Sequence, residues 1–411
     1  MNHASPTKGA SPEAVAPTAG LVYLDNAATS WPKPRAVEEA MVRCLREAGG
    51  NPGRSGHRLS IEAARVIFDA REAVARLIGA PDSRQVVFTG NATEALNLAV
   101  AGVLEPGAHV ITTSMEHNSV ARPLRYLESQ GVGLSVIQTG PAGRVDPGAV
   151  ARAMRPETRL VAMTHASNVI GTVQPVEEVA RACRERGVLF LVDAAQTAGC
   201  YPIDVAAAGI DLLAFTGHKS LLGPPGTGGL YVREGVTLRP LERGGTGSRS
   251  ELDMQPDFLP DQLESGTPNF VGLAGLGAGV GVVLEGGVEA IRGREEGLAR
   301  KLRDGLRAID GVTVYGPDDD RHGRTVPEVG VVSFNLDGVE PSDVGYVLDS
   351  EYGVLCRVGL HCAPWAHRTI GTYPRGTVRL SLGFHSTAAD VAHVLGAVGE
   401  MAAEARRGAK R

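Results

Sequence analysis

From residue 86 onward the chain alternates between short apolar runs and amphipathic stretches. The runs are "QVVFT", "HVITTS", "LSVIQ", "RLVAMTH", "LFLVDA", "DLLAFT" and "GGLYV", with segments such as "VEEVARACRERG" between them. Apolar runs of this length, each followed by helical periodicity, predict a mostly parallel central sheet flanked by helices, an α/β fold. Ahead of the sheet, "PRAVEEAMVRCLREAGG" reads as a helix opened by proline and closed by glycine, with Val37, Met41, Cys44 and Leu45 on one face. A second helix is predicted through "SIEAARVIFDAREAVARLIGA". A Gly/Pro-rich zone near 223–229 and a polar loop at 243–262 interrupt the alternation. The small-residue run "VGLAGLGAGVGVVLEGG" then predicts a tightly packed helix leading to a second domain, with strands in "VVSFNL" and "TVRLSL" and a helix in "STAADVAHVLGAVGEMAAEA". The expected organisation is a leader over 1–20, a large domain over 21–270, a linking helix over 271–300 and a smaller C-terminal α+β domain over 301–411. The segment up to about 60 is free to pack on the small domain.

Composition narrows the classes. The chain has 411 residues, 43% hydrophobic and 21% charged, ordinary for a globular enzyme and long enough for a sizeable core. A net charge of -5 gives no reason to expect nucleic acid or an anionic membrane as partner. No apolar run approaches the roughly 18 residues of a membrane span. The first twenty residues, rich in Pro, Ala and Ser, read as a disordered leader rather than a signal peptide. The five cysteines (Cys44, Cys183, Cys200, Cys356, Cys362) are too few and too scattered for a disulfide framework, which points to a reducing, cytoplasmic setting. Cys44 reads as core.

One count points to chemistry. Of 41 basic residues only Lys8, Lys33, Lys219, Lys301 and Lys410 are lysines, and Lys219 stands alone between Lys33 and Lys301. The other four are expected near the ends or in polar helices. Arginine does not give up its proton in a protein and lysine can, so a solitary lysine suggests amine chemistry, with a chance surface lysine as the competing reading. Lys219 follows a predicted strand and precedes the turn "GPPGTGG", which puts its amine at the carboxyl end of the sheet, where such folds bind ligands. Asp193 and Gln196 fall just past another strand end. In "VVFTGNATEALNLA", Asn91 and Glu94 have capping-box spacing at a helix start whose free N–H groups suit a phosphate, and Thr93 adds a hydroxyl. Lysine, carboxylate and anion cradle together describe a pyridoxal 5'-phosphate site, with Lys219 forming the Schiff base and Asp193 keeping the ring nitrogen protonated. No Walker motif or G-x-G-x-x-G occurs.

The motifs "YLDNAAT", "TGNATEALNLA", "MEHNSV", "SNVIGT", "VDAAQTAG", "FTGHKSLLGPPGTGGLYV", "ESGTPN", "RVGLHCAP" and "GTVRLSLG" run in order from about 22 to 385. In this combination the chain closely resembles the cysteine desulfurases and selenocysteine lyases of the class V aminotransferase fold, a pyridoxal-phosphate-dependent transferase fold of type I. The loop "RVGLHCA" is similar to the group II, Suf-type pattern. The resemblance implies that Gln196 bonds the cofactor's ring hydroxyl, and that His117 stacks on the ring and shuttles protons. Thr93, Thr216 and His218 would hold the phosphate, and Thr267 would reach the phosphate of the partner subunit in a homodimer. It also implies that Asn168 lies near the ring hydroxyl and substrate, that Arg379 clamps the substrate carboxylate with Arg357 beside it, and that Arg54 and His57 approach the neighbouring subunit's site.

Cys362 matches the family's nucleophile, a thiolate that takes sulfur from L-cysteine as a persulfide and leaves L-alanine, for iron–sulfur or other thio-cofactor assembly through a sulfur-acceptor protein. His361 and Arg357 are expected to favour the thiolate. Two other readings of Cys362 stay open from the residues alone. One is plain packing. The other is zinc, for which Cys356, His361, Cys362 and His367 lie close together without a finger pattern. The alternatives for function are a selenocysteine lyase or other C–S lyase, ordinary transamination, and a non-catalytic binding protein on the same fold.

Overall fold

The computed structural model describes residues 20–52, 56–317 and 326–409. The expected leader lies outside these apart from Gly20, and Arg54 lies outside them too. The described chain opens with β1 (Val22–Tyr23), α1 (Arg35–Glu47) and α2 (Arg58–Ile78). A seven-stranded sheet and its helices follow: β2 (Val86–Thr89), α3 (Ala92–Val103), β3 (His109–Thr113), α4 (Asn118–Ser129), β4 (Gly133–Ile137), α5 (Pro147–Ala153), β5 (Thr158–Thr164), α6 (Val176–Glu185), β6 (Leu189–Asp193), α7 (Val205–Ala208), β7 (Leu212–Thr216) and β8 (Gly228–Val232). The strand order is β2-β8-β7-β6-β5-β3-β4, with only β8 antiparallel to its neighbours.

The sequence predicted all seven strands of this sheet. Each is an apolar run because helices cover both faces. Leu96, Leu98 and Leu124 of α3 and α4 fill one face, and Val74, Ile78, Val179 and Leu276 fill the other. Burying a side chain such as Phe190, wholly inaccessible here, contributes about 1.5–3 kcal/mol. The direction of β8 was not legible, since an apolar run carries no polarity. Gly228 shows what seats it: a Cβ there would lie 2.7 Å from the Cα of Asn91, so only glycine lets β8 pass against the start of α3.

The linking segment is two helices, α8 (Phe270–Gly286) and α9 (Val288–Arg307), separated at Gly287 by a sharp bend. Small residues let α8 sit hard against its neighbours. A Cβ on Gly279 would stand 2.5 Å from the carbonyl oxygen of Leu221, in the turn that follows Lys219. Beyond α9 come β9 (Val312–Tyr315), β10 (Val331–Leu336), α10 (Pro341–Tyr352), β11 (Val354–Leu355), β12 (Arg357–Gly359), α11 (Pro364–Thr369), β13 (Thr377–Ser381) and α12 (Ala388–Ala409). A four-stranded antiparallel sheet, β12-β13-β10-β9, packs under α9, α10 and α12 through Leu302, Phe334, Leu348, Leu380 and Val394. The N-terminal strand β1 pairs in parallel with β11, so the chain's start is stitched to its C-terminal part.

The tight seat of α8 predicts opposite outcomes for two glycine-to-alanine changes. Gly279→Ala should lower stability by about 1–3 kcal/mol by overpacking. Gly297→Ala, at an exposed position of α9 with open space around it, should raise it by about 0.5–1 kcal/mol. Urea unfolding of the two variants beside the parent chain checks both signs.

Candidate active site

The strands β5, β6 and β7 end at one place, and the side chains just beyond them face a cavity of about 200 Å³. Around it stand Thr93, His117, Asn168, Asp193, Gln196, Thr216, His218, Lys219, Arg357 and Arg379. The sequence missed several others that line it, among them Ala28, Ser119 and Thr164. Small and uncharged, these carried no chemical signal. Thr267 is elsewhere. It borders a second cavity beside Glu264, which is itself held by a bidentate pair with Arg71 at 2.6 and 3.0 Å.

Lys219 is mostly buried, and this desolvation lowers its pKa to about 8, with the nearby Asp193 carboxylate opposing the shift. Burial raises the pKa of Asp193, which the Ala195 N–H at 3.0 Å and Lys219 partly offset. A carboxyl group with raised proton affinity is suited to share a proton with a ring nitrogen. Beneath it lies a second carboxyl, unforeseen from the sequence. Glu116 is fully buried, accepts from the Thr113 hydroxyl and from the Thr164 N–H, and burial pushes it up to about 8.

His117 caps α4, and its Nδ1 accepts from the Ser119 N–H at 3.1 Å. Burial, then the surrounding cations Lys219, Arg357, Arg122 and Arg379, lower its pKa to about 4. The ring is neutral at pH 7 with its proton on Nε2, so it can donate one hydrogen bond but carries no charge.

The anion end of the cavity is built at the start of α3. Asn91 Oδ1 accepts from the Glu94 N–H at 3.0 Å. The Glu94 carboxylate turns to the Gly90 N–H at 2.8 Å rather than closing the expected box on Asn91. The Thr93 hydroxyl bonds Ser119 Oγ at 2.7 Å. Across from them the Thr216 hydroxyl is buried with no partner among the described residues. An orphaned buried hydroxyl beside a helix N-terminus is what a phosphate would satisfy. Lysine, carboxylate and unsatisfied anion cradle therefore fit pyridoxal phosphate.

The cysteine loop hangs over this cavity. His361 and Cys362 have φ of +47° and +58°, a left-handed conformation that costs energy for residues with a Cβ. Both carbonyls are tied down: Asn168 Nδ2 donates to His361 O at 2.7 Å, and the Asn118 N–H donates to Cys362 O at 2.8 Å. Cys362 itself is exposed, and its Sγ accepts from the Arg357 guanidinium at 3.3 Å. The expectation for His361 needs correction. Burial, then Arg379, drive its pKa down to about 2, and its Nε2 pairs with the Thr377 hydroxyl at 3.0 Å. A neutral imidazole lends the sulfur no positive charge; the cation in hydrogen-bond contact with it is Arg357, with Lys219 and Arg379 within electrostatic reach.

Arg379 is almost wholly buried. One end of its fork donates to Asp25 at 2.7 Å and the other to the Asn168 carbonyl at 3.0 Å, while its Nε has no partner among the described residues. Asn168 thus links the arginine to the cysteine loop. Asp25 was not singled out from the sequence, because it meets Arg379 across 354 residues of chain. His57 caps α2 by accepting from the Ser60 N–H. Lys33 also departs from expectation. It is not in a polar helix but mostly buried, and burial lowers its pKa to about 8. Lys301 sits on α9, while Lys8 and Lys410 lie outside the described residues.

The chain matches the aminotransferase class-V family model over residues 22–394. It is 37% identical to a probable cysteine desulfurase of Methanothermobacter thermautotrophicus, across 90% of this chain and 92% of that protein. It is also 37% identical to the cysteine desulfurase of Haloferax volcanii, across 86% and 83%. The apo structure of a cysteine desulfurase from Thermococcus onnurineus superposes with a TM-score of 0.86 at 34% identity, covering 93% of this chain and 95% of that one. A cysteine desulfurase of Escherichia coli in an S-sulfonic acid form gives 0.80 at 29% identity, covering 94% and 95%. Over nearly all of its described length, then, this chain belongs to the class V aminotransferases, in their cysteine desulfurase branch.

Proposed function

We propose that the protein is a pyridoxal-phosphate-dependent cysteine desulfurase that leaves persulfide sulfur on Cys362. The observation that carries this reading is a mostly buried lysine of lowered proton affinity facing one cavity with Asp193 and the orphaned Thr216 hydroxyl, beneath an exposed cysteine. When bound, the cofactor supplies an aldehyde that joins the substrate amine and a ring that accepts electron density from the carbon skeleton.

The chain's own groups do the rest. Lys219 Nζ would hold the cofactor and carry protons to and from the substrate. Asp193 would hold a proton on the ring nitrogen, and His117 offers its Nε2–H as a neutral donor. Thr93, Thr216, His218 and the free N–H groups of α3 take the phosphate, and Gln196 meets the ring's hydroxyl edge. Arg379, braced by Asp25 and Asn168, receives the substrate carboxylate with Arg357 beside it. The Cys362 thiolate attacks the substrate sulfur. The Cβ–S electron pair passes to carbon, which gains a proton, so cysteine and one enzyme thiol become alanine and one enzyme persulfide. Exposure of Cys362 then lets a sulfur-acceptor protein collect the sulfur.

A homodimer belongs to the same proposal. Leu45, Ile61 and Phe68 leave an apolar face of α1 and α2 exposed, which a second copy would cover. Thr267, away from its own chain's cavity, would then serve its partner's phosphate. A reducing, cytoplasmic setting suits a chain whose five cysteines are all free.

Two outcomes follow from the site. Cys362→Ser should lower sulfide formation from L-cysteine about 100-fold under reductant while the bound cofactor's absorbance persists; sulfide release at the parent rate would make the protein a direct C–S lyase. Capture of added pyridoxal phosphate by the apoenzyme should speed up about tenfold per pH unit and level off above pH 8 or so. Only the neutral amine attacks an aldehyde, and an amine of pKa about 8 is roughly one-tenth neutral at pH 7, against about one in three thousand for an ordinary lysine. Stopped-flow absorbance between pH 6 and 10 measures it, and a rate still climbing at pH 10 would deny Lys219 its lowered pKa.

A further inference from the structure

The main-chain carbonyl of His218, directly before Lys219, receives four hydrogen bonds. The Ser30 N–H donates at 2.9 Å, the Thr29 hydroxyl at 3.0 Å, the Ser30 hydroxyl at 3.2 Å and the Lys33 ammonium at 2.8 Å. All four donors come from one short turn, and Lys33 reaches the carbonyl across 185 residues of chain. Lys33 Nζ also donates to Ser30 Oγ at 2.7 Å, so ammonium, hydroxyl and carbonyl close a small ring.

A carbonyl oxygen has two lone pairs, and two donors are enough to satisfy it. The further donors therefore do more than prevent an unmade hydrogen bond. The ammonium is the costliest of them, because a mostly buried cation should be offset by a carboxylate, and none among the described residues pairs with Lys33. An apolar side chain of similar length would fill the same space without that cost. On the other side of Lys219, its own carbonyl accepts from the Leu222 N–H at 2.8 Å, closing the turn against α8. Both peptide groups flanking the Lys219 Cα are thus held, one by the Lys33 turn and one by the turn that α8 supports. What remains free is the side chain.

We propose that Lys33 is a positioning residue for Lys219: its ammonium clamps the His218 carbonyl and sets the direction from which the Lys219 amine enters the cavity. The inference rests on the reading of Lys219 as the cofactor-binding lysine. With the amine misaligned, the cradle at the start of α3 still takes the cofactor's phosphate but the amine reaches the aldehyde carbon less often, so the loss appears in the covalent step rather than in the fold.

The test compares Lys33→Met and Lys33→Arg with the parent protein. Apoenzyme is mixed with pyridoxal phosphate, and the visible absorbance of the lysine-bound cofactor is followed in time. Lys33→Met should slow capture about tenfold and weaken retention of the cofactor by a similar factor. The apoenzyme melting temperature should stay within about 2 °C of the parent, and Lys33→Arg should recover most of the rate. In turnover, kcat should fall while KM for L-cysteine stays near the parent value. Capture by Lys33→Met within twofold of the parent would overturn the inference, as would an equal loss in Lys33→Arg. Should Lys33→Met not fold, Lys33→Gln carries the same comparison with the charge removed and one donor kept. A Lys219→Ala control separates the two claims. If it develops the same absorbance as the parent, the reading of the site falls and this inference with it; if the parent alone develops it and Lys33→Met matches the parent, only the clamp is lost.

Discussion

Taking a lysine amine out of water is the constraint around which the molecule is arranged. An ammonium ion inside a protein needs a compensating charge or gives up its proton, and the fold provides part of each remedy at Lys219. Burial makes the amine ready to lose its proton, and Asp193 at the end of the adjacent strand keeps the shift moderate. The parallel sheet puts the two side by side. The glycine-rich helix α8 then holds the turn after Lys219 from behind, with no Cβ between them at Gly279. Packing density behind the lysine and polarity in front of it are two sides of one arrangement.

The cysteine loop sets the second constraint. Two successive residues with side chains, His361 and Cys362, hold left-handed backbone, and the hydrogen bonds that hold them there come from Asn118 and Asn168 beyond the ends of β3 and β5. A loop rooted in the small antiparallel sheet is thereby clipped over a cavity in the large one. Asn168 also accepts from Arg379, so the group that would sense the substrate carboxylate is mechanically joined to the loop that carries the thiol. Strain of this kind concentrates where a segment has to shift in use.

The large sheet was legible because buried parallel strands write themselves as unbroken apolar runs. The short strands β1, β9, β11 and β12 were not, since two or three residues, or a run broken by a polar residue as in Val312–Tyr315, leave no apolar run to read. Lys219 stood out because lysine is scarce, but the same scarcity misjudged Lys33, whose partners are main-chain and hydroxyl groups with no charge to advertise. Asp25 was likewise hidden by its distance in sequence from Arg379. Protonation was the least legible. Nothing in "MEHNS" or "GLHCA" says that His117 and His361 are neutral, because burial and neighbouring arginines decide that and both depend on the completed fold.

The most direct measurement is peptide mapping of the pyridoxal-phosphate-loaded protein after borohydride reduction. Among the described residues two amines have proton affinities lowered to about the same level, Lys219 and Lys33, so the experiment discriminates as well as detects. The account predicts a single pyridoxyl adduct, on Lys219. An adduct on Lys33, or none on Lys219, would contradict it.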